Sequence, residues 1–162
     1  MTPERQHFNE VVLPKFIKEF VKKDDMVIDV GKPNDGWNYR QMFNGVDYRT
    51  LDRNPDLNPD IVDDMEDTKL VGGYTDIVIC NGVFEQCCNP FKLVEGLWKV
   101  LRRDGYGLFG IMSVGFPLIQ DLDLCRFTPQ GVDRLLRTFK IVDMDIRERD
   151  KVSSYVFITV QK

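Results

Sequence analysis

The stretch MVIDVGKPNDGWNYRQMFNGVDYRTLD, residues 26–52, decides the expected fold of this chain. Its first three residues form a short apolar run of the kind found in a parallel strand that is covered on both faces. A turn containing Gly31 follows, then a helix predicted at 37–43 and a second strand at 46–51 that ends at Asp52. The order of strand, glycine-containing turn, helix, strand and acid predicts a βαβ unit.

A nucleotide-type ligand can use this layout. A glycine turn lets the backbone approach the ligand, the helix N-terminus supplies N–H groups, and a carboxylate at the end of the second strand can bind two ribose hydroxyls. Asp52 follows Asp29 at about the 20-residue gap typical of such units. The turn has only Gly31 and Gly36 instead of a GxGxxG pattern, and Pro33 removes a backbone donor, which argues against a dinucleotide. The alternative is a βαβ unit without a ligand, since strands often end in Asp.

Length and charge limit the classes of function. With 162 residues, the chain is expected to be one domain with a substantial core. The formal charge of −4 disfavours a nucleic-acid partner, because such surfaces normally carry a basic excess. No signal-peptide pattern and no apolar run long enough to span a bilayer are present, so no membrane partner is expected. The oligomeric state is left open.

Cysteine and histidine usage argues against a metal site. The chain has four cysteines and one histidine, His7, and no CxxC pair, so a zinc site is not expected. Cys80 closes an apolar run and is interpreted as a buried hydrophobic residue. Free thiols are typical of a cytoplasmic protein, which is the predicted location.

The N-terminal segment, residues 1–24, is predicted to be helical and to precede a core at 25–162. Apolar residues recur at helical spacing within 3–22, and Pro14 is expected to kink that helix or to begin a new one. Arg5 and His7 lie near its start. They are interpreted as exposed residues or, alternatively, as part of a lid over a site.

The remaining chain alternates predicted strands and helices. One helix begins at Asn89 and ends at Asp104-Gly105, so that the basic cluster 99–103 forms its end. A second helix begins at Thr128. Further strands are predicted at 60–62, 75–80, 106–112, around 142–147, and at 154–160.

The last two strands must be antiparallel neighbours, because a turn-length connection joins them and a parallel pair needs a longer crossover. The fold class predicted is therefore α/β: a three-layer α/β/α sandwich around a Rossmann-like seven-stranded sheet whose last strand is antiparallel.

Four acidic residues lie close together after the third strand. They could suggest a site for a hard metal ion, but their spacing lacks the EF-hand pattern. Most of the four are expected to be solvated and one to be used. They are Asp63, Asp64, Glu66 and Asp67.

Together these segments resemble the class I S-adenosylmethionine-dependent methyltransferases, specifically the small type 11 family. The last matching segment is similar to an "RFTP" stretch of methyltransferases linked to sugar and surface-polysaccharide pathways. The matching segments are VIDVG (27–31), YRTLD (48–52), PDIVDDMED (59–67), TDIVICNGVFEQCCNP (75–90), LWKVLRRDGYGLFGI (97–111) and CRFTPQGVDRLL (125–136).

The resemblance implies S-adenosylmethionine as cofactor and a set of residues that bind it. The first motif flanks the methionine part, the end of the second strand holds the ribose, the acidic segment lines the adenine, and the end of the fourth strand meets the amine. In that order, the residues implied are Asp29 and Gly31, Asp52 and Arg53, Asp64 and Met65, and Asn81 and Gly82.

The chain departs from the family pattern at the first motif and at the usual base. Pro33 and Asp35 replace two glycines, so weak cofactor binding is expected unless Lys32 or Arg40 compensates. Gln86 replaces the histidine that is the commonest base.

The catalytic base stays unknown at this level. Glu85 is interpreted as a carboxylate that anchors loop backbone rather than as a base. The candidates for a base are Glu85, Asp121, Asp123 and His7. A further departure is Cys125, which stands where the "RFTP" version has an aromatic residue.

The resulting hypothesis is a methyltransferase for a small-molecule or sugar-type acceptor. The acceptor site is expected between the loop 115–126 and the N-terminal segment, since ligands bind at the carboxyl ends of strands in such sheets. The alternative is a degenerate, non-catalytic member that acts as a binding or scaffold module. A nicotinamide oxidoreductase is disfavoured by the missing GxGxxG and by the antiparallel hairpin.

Overall fold

The described residues, 2–31, 39–114, 123–148 and 154–162 of a computed structural model, form a seven-stranded sheet flanked by helices. The strand order is β3-β2-β1-β4-β5-β7-β6. The strands are β1 Met26–Val30, β2 Asp47–Asp52, β3 Ile61–Val62, β4 Thr75–Asn81, β5 Leu101–Met112, β6 Lys140–Glu148 and β7 Ser154–Gln161. The helices are α1 Pro3–His7, α2 Leu13–Phe20, α3 Pro90–Val100 and α4 Pro129–Leu135.

The first five strands are parallel, and β7 lies antiparallel between β5 and β6. Gly110 of β5 pairs with Asn81 of β4 on one side and with Phe157 of β7 on the other. This confirms the predicted fold class, because a connection of a few residues can only return a strand antiparallel to its neighbour.

Two hydrophobic cores lie on the opposite faces of the sheet. On one face, Ile28, Val78 and Phe109 pack with α3 and α4 residues such as Leu97 and Val132. On the other, strand residues pack with the N-terminal helical segment; this core includes Val27, Ile77, Phe157, Phe8 and Phe16. Since neighbouring residues of a strand point to opposite faces, each buried strand serves both cores.

The N-terminal segment is one helical run with a change of hydrogen-bond register. A π-helical turn, Phe8–Val12, separates α1 from α2, and the N–H of Leu13 donates to the carbonyl of Phe8. Pro14 has no N–H and cannot continue the α-helical pattern. Of the two alternatives predicted for Pro14, a kinked helix or a new one, the structure has the second, because α2 begins at Leu13.

Two predicted helices are shorter than expected. Within the described residues of the predicted 37–43 helix, only a 3-10 turn at Tyr39–Met42 is present. The helix predicted to end at 104–105 instead ends at Val100, and β5 begins at the next residue. The cluster 99–103 is therefore mostly strand, and Arg102 pairs with the carboxylates of buried Asp25 and half-buried Asp76.

No helix among the described residues is long and apolar enough to cross a membrane.

Candidate cofactor and acceptor site

The carboxyl ends of β1, β2 and β4 lie side by side at one edge of the sheet. The N–H of Gly31, just after β1, donates to the carbonyl of Leu51 in β2 at 2.8 Å. The N–H of Gly82, just after β4, donates to the carbonyl of Gly110 in β5 at 3.0 Å. The structure therefore brings the ends of these strands together, where open parallel sheets bind ligands.

Gly31 has a backbone conformation that favours glycine. Its φ is +86°, and a Cβ built there would lie 2.4 Å from Cγ2 of Val83. Both the φ value and the close approach exclude an ordinary side chain. The turn after β1 is therefore packed directly against the turn after β4.

Asp29 is buried, and its carboxylate accepts a hydrogen bond from the Tyr48 hydroxyl. Burial raises the pKa of Asp29 to about 7, although the hydrogen bond from Tyr48 opposes that increase. Asp29 thus joins β1 to β2 through a side-chain contact. The contact could not be predicted from the sequence, because the segment 48–52 was matched for its terminal acid, Asp52, and not for a role of Tyr48.

Asp52 lies half-buried at the end of β2, and its Oδ1 accepts the N–H of Asn54 at 2.8 Å. The guanidinium of Arg53 is exposed and lies 3.9 Å from Oε1 of Glu66. Glu66 in turn accepts the N–H groups of Cys88 and Asn89 at 2.9 and 2.6 Å. These contacts connect the β2 end to the beginning of α3.

Asp64 and Met65 have local roles in the segment after β3. Asp64 Oδ1 accepts the N–H of Glu66 at 2.9 Å, at the start of the 3-10 turn Met65–Asp67. Met65 is buried, and a Cβ built at Gly96 of α3 would lie 1.9 Å from its carbonyl oxygen. Gly96 therefore allows this segment to lie directly on α3. Contact of Asp64 and Met65 with a cofactor stays a prediction.

Three of the four clustered acids accept hydrogen bonds from backbone N–H groups of the protein itself, and the use of one of them by a ligand stays a prediction. Asp63 accepts hydrogen bonds from the Thr68 hydroxyl and the Lys69 N–H, and Asp64 and Glu66 bind backbone as described above. Asp67 is the exposed member and pairs with Lys69 at 2.5 Å. The other three acids bind backbone because this loop has many N–H groups that no helix or strand pairs. The carboxylates accept hydrogen bonds from those N–H groups.

Asn81 and Gly82 end β4 beside a tyrosine of β7. The Tyr155 hydroxyl donates to Oδ1 of Asn81 at 2.9 Å. Gly82 has a φ of +73°, and a Cβ built there would lie 3.6 Å from that hydroxyl. At Gly110 a Cβ would lie 2.0 Å from Asn81 Oδ1. No sequence pattern predicted a role for Tyr155, since it lies far from the other site residues along the chain.

Glu85 connects the turn after β4 to the end of β5 and to the segment before α4. Its Oε1 accepts the N–H of Met112, and its backbone carbonyl accepts the N–H groups of Leu124 and Cys125 at 2.7 and 3.0 Å. Since β4 has ended at Asn81, the carboxylate takes the place of a strand as partner of Met112. Glu85 therefore anchors loop backbone, as interpreted from the sequence.

The second carboxylate oxygen of Glu85, Oε2, is buried and has no hydrogen-bond partner among the described residues. Burial raises the pKa of Glu85 to about 7, against the lowering effects of the Met112 N–H and of Arg126. The guanidinium of Arg126 contacts Asp123 and donates to the Ser113 carbonyl at 3.4 Å.

The other candidate bases lie in ion pairs or outside the described residues. Asp123 is buried against Arg126, and Asp121 lies outside the described residues. His7 Nε2 lies 2.7 Å from Oδ2 of Asp145 on β6, so the N-terminal segment is fastened to that strand. Gln86 donates to the Gly82 carbonyl at 3.4 Å. None of these contacts identifies a base.

The departures in the first motif lie mostly outside the described residues, which leave out 32–38 and therefore Lys32, Pro33 and Asp35. Arg40 is described. Its guanidinium donates to the Tyr48 carbonyl and to Asp60, each at 2.6 Å. Arg40 is thus engaged with β2 and the segment before β3. The loop 115–126 is described only from Asp123 onward.

The hydrogen-bonding groups at this edge of the sheet match those of S-adenosylmethionine. Asp52 offers a carboxylate for ribose hydroxyls, and Asn81 a backbone carbonyl for an amine. The positive φ values at Gly31 and Gly82 allow backbone to approach a ligand without a Cβ. Among the described residues, no group of three or more His, Cys, Asp or Glu side chains could hold a metal ion.

Comparison with known proteins finds likeness in structure but not in sequence. No protein-family model matches the chain, and no curated protein matches it. A SAM-dependent methyltransferase from Methanosarcina mazei superposes with a TM-score of 0.72 at 14% identity, covering 91% of this chain and 96% of that one.

Two further structures show what else has this fold. The 1,6-didemethyltoxoflavin-N1-methyltransferase of Burkholderia thailandensis, with bound 1,6-didemethyltoxoflavin and S-adenosylhomocysteine, has a TM-score of 0.71 at 15% identity and covers 98% and 82% of the two chains. The cyclase SpnF has a TM-score of 0.69 at 10% identity, with 93% and 80% covered. The chain therefore has the Rossmann-like fold that S-adenosylmethionine-dependent methyltransferases share.

Proposed function

We propose that the protein binds S-adenosylmethionine and transfers its methyl group to a small-molecule acceptor, in the class that the type 11 methyltransferases represent. The observation that carries this proposal is that the ends of three neighbouring strands, with Gly31, Asp52, Asn81 and Gly82, lie at one edge of the sheet. Similar structures crystallised with S-adenosylhomocysteine support it.

The proposed contacts follow from the chemistry of each residue. Asp52 with Arg53 binds the ribose side, because a carboxylate accepts from two neighbouring hydroxyls. Asp29 and Gly31 lie at the methionine part, and Asp64 with Met65 at the adenine. The carbonyl of Asn81, with Gly82 next to it, accepts from the amine. When bound, the cofactor supplies an electrophilic methyl group on a sulfonium.

The acceptor is proposed to lie between the N-terminal segment and the loop 115–126. Residues of this chain would position it and exclude water, which can provide much of the catalysis when the leaving group is neutral. A sugar-type acceptor, suggested by the resemblance of 125–136 to the "RFTP" stretch, is the finer proposal.

A non-catalytic binding module is the second candidate, and a specific contact favours it. Cγ2 of Val83 lies 2.4 Å from the place where a Cβ of Gly31 would be. The absence of a side chain at Gly31 thus allows the two turns to pack together. This packing explains the glycine without a ligand. The cyclase with the same fold also illustrates that this fold does not determine the reaction.

Titration calorimetry separates these candidates. A methyltransferase is expected to bind both S-adenosylmethionine and S-adenosylhomocysteine, and to form S-adenosylhomocysteine from S-adenosylmethionine when a panel of small acceptors is added. A binding module would bind ligand without forming product. Binding of NAD instead of either compound would refute both candidates.

A further inference from the structure

We propose that Cys88 and Cys125 form an oxidation site, at which a peroxide converts the two thiols into one intramolecular disulfide. The inference goes beyond the proposed function and does not depend on it. It starts from the place where the segment 123–127, which precedes α4, meets the turn 82–88, which follows β4. Three of the four cysteines of the chain lie in these two stretches, and all four are free thiols in this structure.

Hydrogen bonds already hold the two stretches together. The N–H groups of Leu124 and Cys125 both donate to the carbonyl of Glu85, at 2.7 and 3.0 Å. Sγ of Cys125 lies 3.7 Å from the carbonyl oxygen of Cys87, and that carbonyl belongs to the peptide bond that leads to Cys88. A thiol is a weak donor, so the backbone of Cys125 is fixed while its sulfur can turn.

The two sulfur atoms lie within reach of each other. In a trans peptide the carbonyl oxygen is about 2.8 Å from the next Cα, so Sγ of Cys125 lies within about 6.5 Å of Cα of Cys88. Rotation about χ1 of Cys88 can bring its sulfur to within about 4 Å of that atom. Rotation at Cys125 and a small movement of the segment 123–127 then give the geometry that a disulfide needs.

Exposure selects this pair among the four thiols. Cys88 is exposed and Cys125 is partly exposed, whereas Cys80 and Cys87 are buried. The thiolate is the form that reacts, and burial raises the pKa of Cys87 to about 12 and that of Cys80 well above its usual value. The Cys87 thiol also donates to the carbonyl of Phe84 at 3.1 Å. An oxidant from the solvent therefore meets Cys88 first.

The reaction balances with hydrogen peroxide as the oxidant. The thiolate of Cys88 attacks one peroxide oxygen, the O–O bond breaks, and a sulfenic acid and hydroxide form. The sulfur of Cys125 then attacks the Cys88 sulfur, the S–O bond breaks, and the sulfenic oxygen leaves as water with the thiol proton of Cys125. In total, two thiols lose two electrons and two protons, and one peroxide becomes two waters. A dithiol reverses the reaction and is itself oxidised to a disulfide.

The disulfide would fasten the segment before α4 to the turn after β4. In the reduced protein, the N–H groups of Leu124 and Cys125 hold this contact, and they release it whenever both hydrogen bonds open. A covalent bond would keep the two stretches together in that event. Because the loop 115–126 is proposed to border the acceptor, oxidation would also restrain one end of that loop. Only this last consequence rests on the proposed function.

Peptide mapping of the full chain tests the inference without any cofactor. Dilute protein is treated with hydrogen peroxide, the remaining thiols are blocked with iodoacetamide, and tryptic peptides are analysed without reduction. Trypsin yields the peptide 70–92, which contains Cys80, Cys87 and Cys88, and the peptide 104–126, which contains Cys125. Wild-type protein should lose two of its four thiols and give these peptides joined to each other, and dithiothreitol should separate them.

Two variants assign the bond to its partners. Cys88→Ser changes an exposed position and should abolish the cross-link. Cys87→Ala removes the adjacent buried thiol and is the matched control, which should keep the cross-link. If Cys87→Ala does not fold, fragmentation of the joined wild-type peptides between residues 87 and 88 identifies the bonded sulfur.

Several outcomes would overturn the inference. Four free thiols after the treatment would do so, as would oxidation of Cys88 without a cross-link. A cross-link that survives in Cys88→Ser would assign the bond to a different thiol. A cross-link found only in disulfide-linked dimers on a non-reducing gel would show that the two sulfurs of one molecule do not meet.

Discussion

The Tyr155 hydroxyl on β7 donates a hydrogen bond to Oδ1 of Asn81 at the end of β4, over 2.9 Å. The antiparallel strand thereby fixes the orientation of a side chain at the edge where the cofactor is proposed to bind. β5 lies between the two residues, and Gly110 leaves the space that the bond requires.

Removal of that hydroxyl should cost measurable stability. Tyr155→Phe removes the donor to Oδ1 of the half-buried Asn81, and we expect a loss of about 1–3 kcal/mol in the free energy of unfolding. Urea denaturation measures it. The control is Tyr106→Phe, whose hydroxyl accepts from Gln161 at 3.0 Å in a half-buried position; it should cost less. Equal losses would contradict the role of the Asn81 bond.

Loss of the carboxylate at the end of β2 should weaken cofactor binding. Asp52→Ala removes a charge-assisted interaction with ribose hydroxyls, worth about 1.5–3 kcal/mol, or roughly 10- to 150-fold in the dissociation constant. Calorimetry with S-adenosylhomocysteine measures the change. Asp56→Ala, an exposed acid in the next turn, is the control. Unchanged affinity in a folded Asp52→Ala protein would refute the assignment.

A side chain at Gly31 should strain the turn after β1. In Gly31→Ala the new Cβ would meet Cγ2 of Val83 at 2.4 Å, in addition to the cost of about 1–2 kcal/mol for a positive φ. Gly45→Ala has a similar φ of +75°, but its Cβ would lie 3.7 Å from Cγ of Lys23. Thermal unfolding should show a larger loss at Gly31. Adding Val83→Ala should restore part of the lost stability. No recovery in the double variant would show that the contact between the two turns does not cause the loss.

Stability should fall as the pH rises from about 4 to 7. The pKa values of Asp29 and Glu85 are raised by burial from 3.8 and 4.5 to about 7, so the folded state binds protons that the unfolded state has already lost. Asp29 can account for a change on the order of 4 kcal/mol and Glu85 for one on the order of 3 kcal/mol, complete above pH 7.

Urea denaturation at pH 5 and pH 8 checks this expectation, and Asp29→Asn with Glu85→Gln should flatten the difference. The pKa of Asp47 is lowered by a hydrogen bond from Arg49, and that of Asp67 by one from Lys69. Those two acids therefore titrate below the pH range that the two measurements compare. Higher stability at pH 8 than at pH 5 would contradict the assigned protonation of Asp29 and Glu85.

The riskiest sequence prediction concerns the turn after β1, and it stays a prediction. Pro33→Gly with Asp35→Gly should tighten binding of S-adenosylhomocysteine, because it restores a backbone N–H and removes a carboxylate near the proposed carboxylate of the ligand. Calorimetry on the double variant measures this. Both residues lie outside the described ranges. A folded double variant that binds no better than the parent would show that the turn does not limit affinity.

The sequence alone determined the order of strands and helices and the acid at the end of β2. These features depend on local patterns: the apolar runs of β1 and β4, the Asn89-Pro90 start of α3, and the short connection that makes β6 and β7 antiparallel. The sequence failed where local and tertiary preferences compete. Val100 ends α3 early because the following residues extend as a strand, and Arg102 there pairs with Asp25 and Asp76.

Only the tertiary structure decided which groups meet at the candidate site. Tyr48 donates to Asp29, Tyr155 donates to Asn81, and Glu85 places one oxygen on Met112 and leaves the other without a partner among the described residues. These contacts join residues that lie far apart along the chain or depend on where a loop returns. Periodicity and motif spacing report on local conformation, whereas the satisfaction of a buried polar atom depends on all the segments that surround it.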